Sequence, residues 1–211
     1  MPYMNTGGRD PGVTEPRLLL GCGILQQELR YLIKKNAWAL DTDFLDSSLH
    51  VDFAALESAL QAGLVRHTGR DIVVFYGSCH PRMEQMLVAA HSLRTQGQNC
   101  IEMLLGPERF MQELSSGAFF LLEDWALRWD TAISKTFGNK PEVIREIFQL
   151  SNHYLLCLRT PCSGDFEQAA IDIGLKVGLP LRWLDVGLEQ LETVLAQAIA
   201  QKKPQALTNC Y

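Results

Sequence analysis

The sequence has no long hydrophobic run and no excess of basic residues. Its longest apolar runs, such as residues 18–20 and 72–76, fall far short of the ~20 residues that a membrane-spanning helix needs. The net charge is −5, from 19 basic and 24 acidic residues, whereas a protein that binds nucleic acid electrostatically carries a basic surplus. We therefore expect no membrane span and no nucleic-acid partner.

The sequence also has no apolar stretch within its first ten residues, where a secretory signal would have one. We therefore expect a cytoplasmic protein, in which cysteines stay reduced. The 211-residue chain contains six cysteines, and a disulfide framework does not account for them in that compartment. They are expected to be core residues, metal ligands or nucleophiles.

Short apolar segments alternate with amphipathic segments along the chain, and hydrophobic residues make up 47% of it. The apolar segments predict strands, and the spacing of leucines between them predicts helices. The predicted strands lie within residues 17–21, 38–45, 71–77, 154–158 and 181–186, and a short extended piece is predicted near 92–96. Strands that alternate with helices form a mostly parallel sheet with both faces covered.

We therefore expect an α/β fold with a single doubly wound, Rossmann-like sheet in one domain over residues 17–203. A helical elaboration is expected at 107–150, although residues 117–122 suit a strand as well as a buried helix. Residues 1–16 are polar and rich in glycine and proline, so they are expected to form a flexible arm. Residues 204–211 are expected to be a tail, in which Cys210 has no assigned role.

Three cysteines and one histidine follow predicted strands directly. Cys22, Cys79 and Cys100 each lie in a loop from a strand to a helix, and His50 follows the second strand. In open parallel sheets, ligands bind beyond the carboxyl ends of the strands, which meet at one edge. The sequence therefore predicts that these four side chains share one edge of the sheet.

Three thiolates and an imidazole are a suitable ligand set for zinc, and three cysteines suit an iron–sulfur cluster equally well. Helix N-termini beside the cysteines are expected to lower the thiol pKa values and favour the thiolate. His80 is a further candidate ligand. The opposing interpretation is that the cysteines pack as small hydrophobic residues in the core.

Three other residues, Glu102, Trp125 and Cys162, have a weaker claim to the same site. Glu102 either points into the crevice or faces solvent, and Trp125 either packs in the core or covers a planar cofactor. We retain both as candidate cofactor-binding residues. Cys157 lies within an apolar strand and is expected in the core, whereas Cys162 is either a fourth ligand or a turn residue.

Several segments resemble a known family, the domain-of-unknown-function family numbered sixteen-thirty-eight. The resemblance extends over about residues 17–200, and these segments carry it: Leu-Gly-Cys-Gly at 20–23, Leu-His at 49–50, Tyr-Gly-Ser-Cys at 76–79, Asn-Cys-Ile-Glu-Met-Leu-Leu-Gly at 99–106 and Gly-Ala-Phe-Phe-Leu-Leu-Glu-Asp-Trp at 117–125. The resemblance implies that Cys22, Cys79 and Cys100 recur together as a shared site. The chain departs from the family pattern at Asn99, where many members have aspartate, and at residues 80–82, where they have a glycine-rich loop.

The family is found in anaerobes beside corrinoid proteins and methyltransferases, so the resemblance implies a partner of one of these kinds. We expect a metal- or cluster-binding protein that supports corrinoid-dependent methyl transfer or corrinoid reactivation. One alternative is a corrinoid or tetrapyrrole carrier with His50 or His80 as axial ligand. The other is a non-catalytic accessory protein, and the acidic surface also allows a homodimer.

Overall fold

The computed structural model describes residues 16–201, so the predicted tail, Cys210 and all but the last residue of the predicted arm lie outside the described residues. The strands are β1 (Arg17–Cys22), β2 (Leu40–Leu45), β3 (Ile72–Phe75), β4 (Leu93–Arg94), β5 (Ala118–Leu121), β6 (Tyr154–Arg159) and β7 (Leu181–Asp185). Alternation of strand and helix continues along the whole described region, as the hydrophobic pattern predicts.

The α-helices are α1 (Gln26–Lys35), α2 (Phe53–Arg66), α3 (Met83–Ala89), α4 (Cys100–Leu105), α5 (Pro107–Ser115), α6 (Glu123–Leu127), α7 (Trp129–Phe137), α8 (Pro141–Ser151), α9 (Glu167–Val177) and α10 (Glu189–Ala200). Short 3₁₀ helices span Gly23–Leu25 and Ser47–Val51. Among residues 16–201, no helix is both long enough and apolar enough to cross a membrane.

Every strand pairs in parallel, but the strands divide between two sheets. One sheet has the order β2-β1-β3-β4 and the other has the order β5-β6-β7. The α/β class and the parallel, Rossmann-like pairing are confirmed, whereas the sequence analysis predicted one sheet. The first sheet ends at the two-residue strand β4, and the second sheet packs against the first through a shared core in place of extending it.

The predicted helical elaboration at 107–150 includes a strand. Residues 118–121 form β5, which pairs with β6 from Ala118 opposite Tyr154 to Leu121 opposite Cys157. The run Ala-Phe-Phe-Leu is apolar and rich in aromatic residues, which favours a strand beside a partner. The four helices of this region, α5 to α8, therefore flank the edge strand of the second sheet.

The largest apolar core lies between the two sheets. It contains Leu19 and Phe75 of the first sheet, Leu156 and Leu158 of the second, and leucines of α1, α4 and α10. Two other clusters lie on the opposite faces, with α2 and α3 against the first sheet and α8 and α9 against the second. Because β1, β3 and β6 are covered on both faces, their sequences are continuous apolar runs.

Two glycines allow the loops at the carboxyl edge of the first sheet to touch. A Cβ atom at Gly77 would overlap the carbonyl group of Gln98, and one at Gly23 would lie 2.9 Å from the carbonyl oxygen of Leu45. The backbone N–H of Ser78 donates to the same Gln98 carbonyl at 2.7 Å. Only glycine permits such a close approach of two backbones.

We expect Gly77→Ala to lower the free energy of unfolding by about 1–3 kcal/mol, because the added methyl group must displace the Gln98 backbone. Urea denaturation measures this change. The matched control is Ser78→Ala, since Ser78 is exposed and the variant keeps its backbone hydrogen bond. Equal stabilities for the two variants would contradict the proposed contact.

Candidate functional site

A cavity of about 420 Å³ lies between the carboxyl edge of the first sheet and strand β5 of the second. Its walls come from the loops after β1 and β3, the start of α4, the side chains of β5, and α6. Most lining side chains are apolar or aromatic. The cavity therefore lies between the two sheets, beyond the carboxyl ends of the strands of the first sheet, where ligands bind in parallel α/β folds.

All three of the predicted cysteines line this cavity. Cys22 ends β1, Cys79 lies in the loop after β3, and Cys100 is the first residue of α4. The three thiols are close enough for Cys22 and Cys79 to raise the pKa of Cys100. Within residues 16–201, no group of three or more His, Cys, Asp and Glu side chains is arranged to hold a metal ion. The structure thus brings the cysteines together, and their role as ligands stays a prediction.

Burial keeps these cysteines in the thiol form at neutral pH. It raises the pKa of Cys22 to about 12, and it raises the pKa values of Cys79 and Cys100 as well. The sequence-based expectation that helix N-termini would lower these pKa values is wrong. The physical reason is that the loss of solvation in an apolar cavity outweighs the helix dipole and the backbone hydrogen bonds.

His50 also lines the cavity, and its ring orientation is set by two contacts. Its Nδ1 contacts the backbone carbonyl of Ser47, and its ring stacks on Trp125 with centroids 4.6 Å apart and an interplanar angle of 12°. Because a carbonyl oxygen only accepts, Nδ1 carries the proton of the neutral ring and Nε2 has the lone pair. A backbone contact of this kind orients histidines that bind metals through the other nitrogen.

A polar cluster joins the segment of His50 to the helix of Trp125. Arg128 donates from Nη1 to both carboxylate oxygens of Asp46 at 3.0 Å, and from Nη2 to those of Asp124 at 2.9 and 3.0 Å. The hydroxyl of Ser47 contacts both Arg128 and Asp124. We call Asp46, Ser47, Asp124 and Arg128 the polar clamp.

Two buried polar groups of the cavity have no hydrogen-bond partner stronger than a thiol among the described residues. These are the hydroxyl of Tyr76 and the indole Nε1–H of Trp125. Tyr76 is 2% exposed, and burial together with the nearby Cys22 thiol raises the pKa of its hydroxyl. A buried donor without a partner costs about 1–3 kcal/mol, so the fold retains these groups at the expense of stability.

Sequence reasoning missed Tyr76 because the apolar run at 72–76 assigned it to the core. A signal was available in its position. Tyr76 is the first residue after β3 and precedes Cys79 by three residues. A polar aromatic residue at the carboxyl end of a central parallel strand is well placed to reach a ligand crevice.

His80 does not reach the cavity. Its Nδ1 accepts from the backbone N–H of Arg82 at 3.0 Å, so the neutral ring carries its proton on Nε2, which lies 3.6 Å from Glu57 on α2. The side chain is 7% exposed and packs beneath Phe53. The loop after Cys79 thus turns His80 toward the outer face of the first sheet, because Pro81 and Arg82 lead directly into α3.

Glu102 is a capping residue and lies outside the cavity lining. Its Oε2 accepts from the backbone N–H of Gln98 at 3.2 Å, while its own N–H donates to Oδ1 of Asn99 at 2.9 Å. Asn99 and Glu102 together resemble a capping box at the start of α4. This use of Glu102 was visible in the Asn-x-x-Glu spacing. Trp125, the other candidate cofactor contact, does line the cavity.

The two remaining described cysteines lie outside the cavity. Cys157 is fully buried in the core on the outer face of the second sheet, as predicted. Cys162 is half-buried in the turn after β6, where its backbone N–H donates to the hydroxyl of Thr160. The structure therefore places Cys162 in a turn, away from the other three thiols.

The sequence matches the family described as "Protein of unknown function (DUF1638)" over residues 44–195. The chain belongs to this family, as the resemblance of its motifs indicated. The matched range includes His50, Cys79, Cys100 and Trp125, and Cys22 precedes it. No curated protein and no solved structure matches the chain.

We expect Arg128→Met to lower the free energy of unfolding by about 1 kcal/mol, because it leaves the two carboxylates of the polar clamp without a cation at a partly exposed site. The variant should also change the fluorescence of Trp125, whose contribution is identified by subtracting the spectrum of Trp125→Phe. The matched control is Lys176→Met, which removes one exposed ion pair with Asp130 on α7. A loss no larger than that of the control would argue against the clamp.

Proposed function

We propose that the protein binds a metal centre, zinc or an iron–sulfur cluster, through Cys22, Cys79 and Cys100. One observation carries this proposal: three thiols from three separate segments of the chain line one cavity. They lie far apart in the sequence and meet only because parallel strands end at the same edge. Thiolate sulfur is the ligand that both zinc and iron–sulfur clusters prefer.

The chemistry of the donors supports this proposal. The cysteines supply three soft sulfur ligands, and the Nε2 lone pair of His50 is a fourth donor on the same cavity wall. Since the thiols are protonated at neutral pH, metal binding would release protons as it forms thiolates. The volume of about 420 Å³ leaves room for a centre larger than one ion, or for an ion with a second molecule.

We propose that such a centre supports corrinoid-dependent methyl transfer or corrinoid reactivation, the role that the family resemblance implies. When bound, zinc would supply Lewis-acid activation of a thiol acceptor, whereas a cluster would supply electrons. The protein's own residues would hold the centre in an apolar cavity and exclude water from it. A corrinoid protein or a methyltransferase would be the partner in either case.

A corrinoid or tetrapyrrole carrier is a second candidate, and the orientation of His50 is the observation that favours it. Its Nε2 is available as an axial ligand, and its stacking on Trp125 holds the ring in place. Absorption separates the candidates, since an iron–sulfur protein is brown, a corrinoid protein is red or orange, and a zinc protein is colourless.

The test is metal content by mass spectrometry, with an absorption spectrum, on protein purified without oxygen. We expect about one zinc, or several irons with matching sulfide, per chain. Cys22→Ser, Cys79→Ser and Cys100→Ser should each reduce metal affinity by more than the ~10–100-fold that loss of an outer partner costs. Each variant removes a ligand and keeps a residue of similar size.

Cys162→Ser is the matched control, because Cys162 is half-buried and lies outside the cavity. It should retain the metal of the unsubstituted protein. The proposal would be overturned if the unsubstituted protein is colourless and metal-free, and if the protein stays folded after all three cavity cysteines are replaced. That result would assign the cysteines to packing in an accessory protein.

We expect the stability of the metal-free protein to fall as the pH rises above about 9, the ordinary pKa of a thiol. The unfolded chain loses its thiol protons there, whereas folded Cys22 keeps its proton up to a pH of about 12. The expected slope from Cys22 is about 1.4 kcal/mol per pH unit. Urea denaturation between pH 8 and 10.5 measures it.

Cys22→Ser should give a shallower pH dependence over the same range, because serine does not titrate there. The comparison uses slopes, so a uniform loss of stability in the variant does not affect it. Identical slopes for the two proteins would show that Cys22 is not buried as a thiol.

A further inference from the structure

The cavity contains groups suited to an organic molecule in addition to its three thiols. Aromatic side chains from both sheets and from the intervening loops form much of its wall: His50, Phe75, Tyr76, Phe110, Phe119 and Trp125. Flat, polarisable walls of this kind bind planar aromatic molecules by stacking and edge contacts. The volume of about 420 Å³ lies within the usual range for small-molecule sites, about 300–1,000 Å³.

The charge of the wall indicates what kind of molecule fits. Of the described residues that line the cavity, none is an aspartate, glutamate, lysine or arginine. A charged organic molecule, which unlike a metal ion is not coordinated by thiolates, would lose its hydration there without gaining an ion pair, and this is costly in an apolar environment. The cavity therefore suits a neutral molecule.

Two donors on the wall define what that molecule must carry. Within residues 16–201, the buried Nε1–H of Trp125 has no hydrogen-bond partner, and the buried hydroxyl of Tyr76 has no partner stronger than a thiol. Tyr76 has the Cys22 thiol near its hydroxyl, and a thiol is a weak hydrogen-bond partner. Each group would be satisfied by an acceptor atom, such as a carbonyl oxygen, on a bound molecule.

A second, smaller groove adjoins the cavity, and aromatic side chains line the place where the two meet. It has a volume of about 190 Å³ and shares His50, Phe119 and Trp125 with the cavity wall. The stacked pair of His50 and Trp125 thus stands between the two spaces. The groove is lined on its other side by apolar residues of α7, including Ile133.

We propose that the cavity binds a neutral, planar aromatic molecule with a carbonyl-type acceptor, which takes a hydrogen bond from Tyr76 or Trp125. The aromatic walls supply the stacking surface, and the two unpaired donors supply the polar recognition. The proposal goes beyond the metal centre and does not depend on it. The cysteines define one part of the cavity wall, whereas the phenol and indole donors define the recognition of the organic molecule.

The experiment uses the probe prodan, a neutral naphthalene with one ketone, whose emission shifts to shorter wavelength in an apolar site. We expect saturable binding of one prodan per chain with blue-shifted emission. The double variant Tyr76→Phe/Trp125→Phe removes both donors and keeps aromatic rings at both positions. It should bind prodan about tenfold more weakly, the effect of one buried hydrogen bond.

The matched control is the double variant Tyr31→Phe/Trp183→Phe, whose residues lie outside the cavity on α1 and β7. It should bind prodan like the unsubstituted protein. A second measurement, the melting temperature without prodan, distinguishes binding from folding. Tyr76→Phe/Trp125→Phe should remain folded at the temperature of the binding assay, because removal of two poorly satisfied donors offsets part of the packing that is lost with the indole ring.

The binding assay is carried out on the protein as purified and again after treatment with a chelator. Prodan binding to the chelated protein would support the proposal even if no metal is found at the cysteines. Absence of saturable binding to both preparations would overturn it. Equal affinities for the unsubstituted protein and Tyr76→Phe/Trp125→Phe would overturn it as well, since they would indicate adsorption to apolar surface alone.

Discussion

The arrangement of the cavity depends on the backbone contact between the loop after β3 and the segment before α4. The hydrogen bond from Ser78 N–H to the Gln98 carbonyl, with no side chain at Gly77, brings these two segments together. One segment leads to Cys79 and the other to Cys100. A bulkier residue at position 77 would separate the two thiols. The closeness of Cys79 and Cys100 therefore depends on the absence of a Cβ atom at Gly77.

A second constraint is the connection between the two sheets at the opposite wall of the cavity. The polar clamp links the 3₁₀ helix after β2 to α6, and these segments carry His50 and Trp125. Without this connection, the positions of His50, which follows the first sheet, and of Trp125, which follows β5 of the second, would be fixed independently of each other. The cavity is therefore enclosed by loops of the first sheet on one side and by β5 and α6 on the other.

The same enclosure explains why the site is chemically unusual. The three thiols are only partly exposed and burial keeps them protonated, while the buried Nε1–H of Trp125 has no partner among the described residues and the hydroxyl of Tyr76 has only the Cys22 thiol. The poorly satisfied donors reduce the stability of the folded chain at neutral pH, whereas the buried thiols reduce it only at a pH above about 9. Proteins retain such groups where a ligand supplies the missing partner. In the two proposals, a metal would be the partner of the thiols, and an organic molecule would be the partner of the Tyr76 or Trp125 donor.

The sequence by itself determined the α/β class, the parallel strands and the meeting of Cys22, Cys79 and Cys100, because parallel strands end at one edge. It did not determine side-chain directions within loops, and so His80 and Glu102 were assigned to a site that they do not line. The tertiary structure alone decided the division into two sheets and the position of Trp125 across the cavity. Both depend on how distant helices pack in a shared core, which no local pattern of residues specifies.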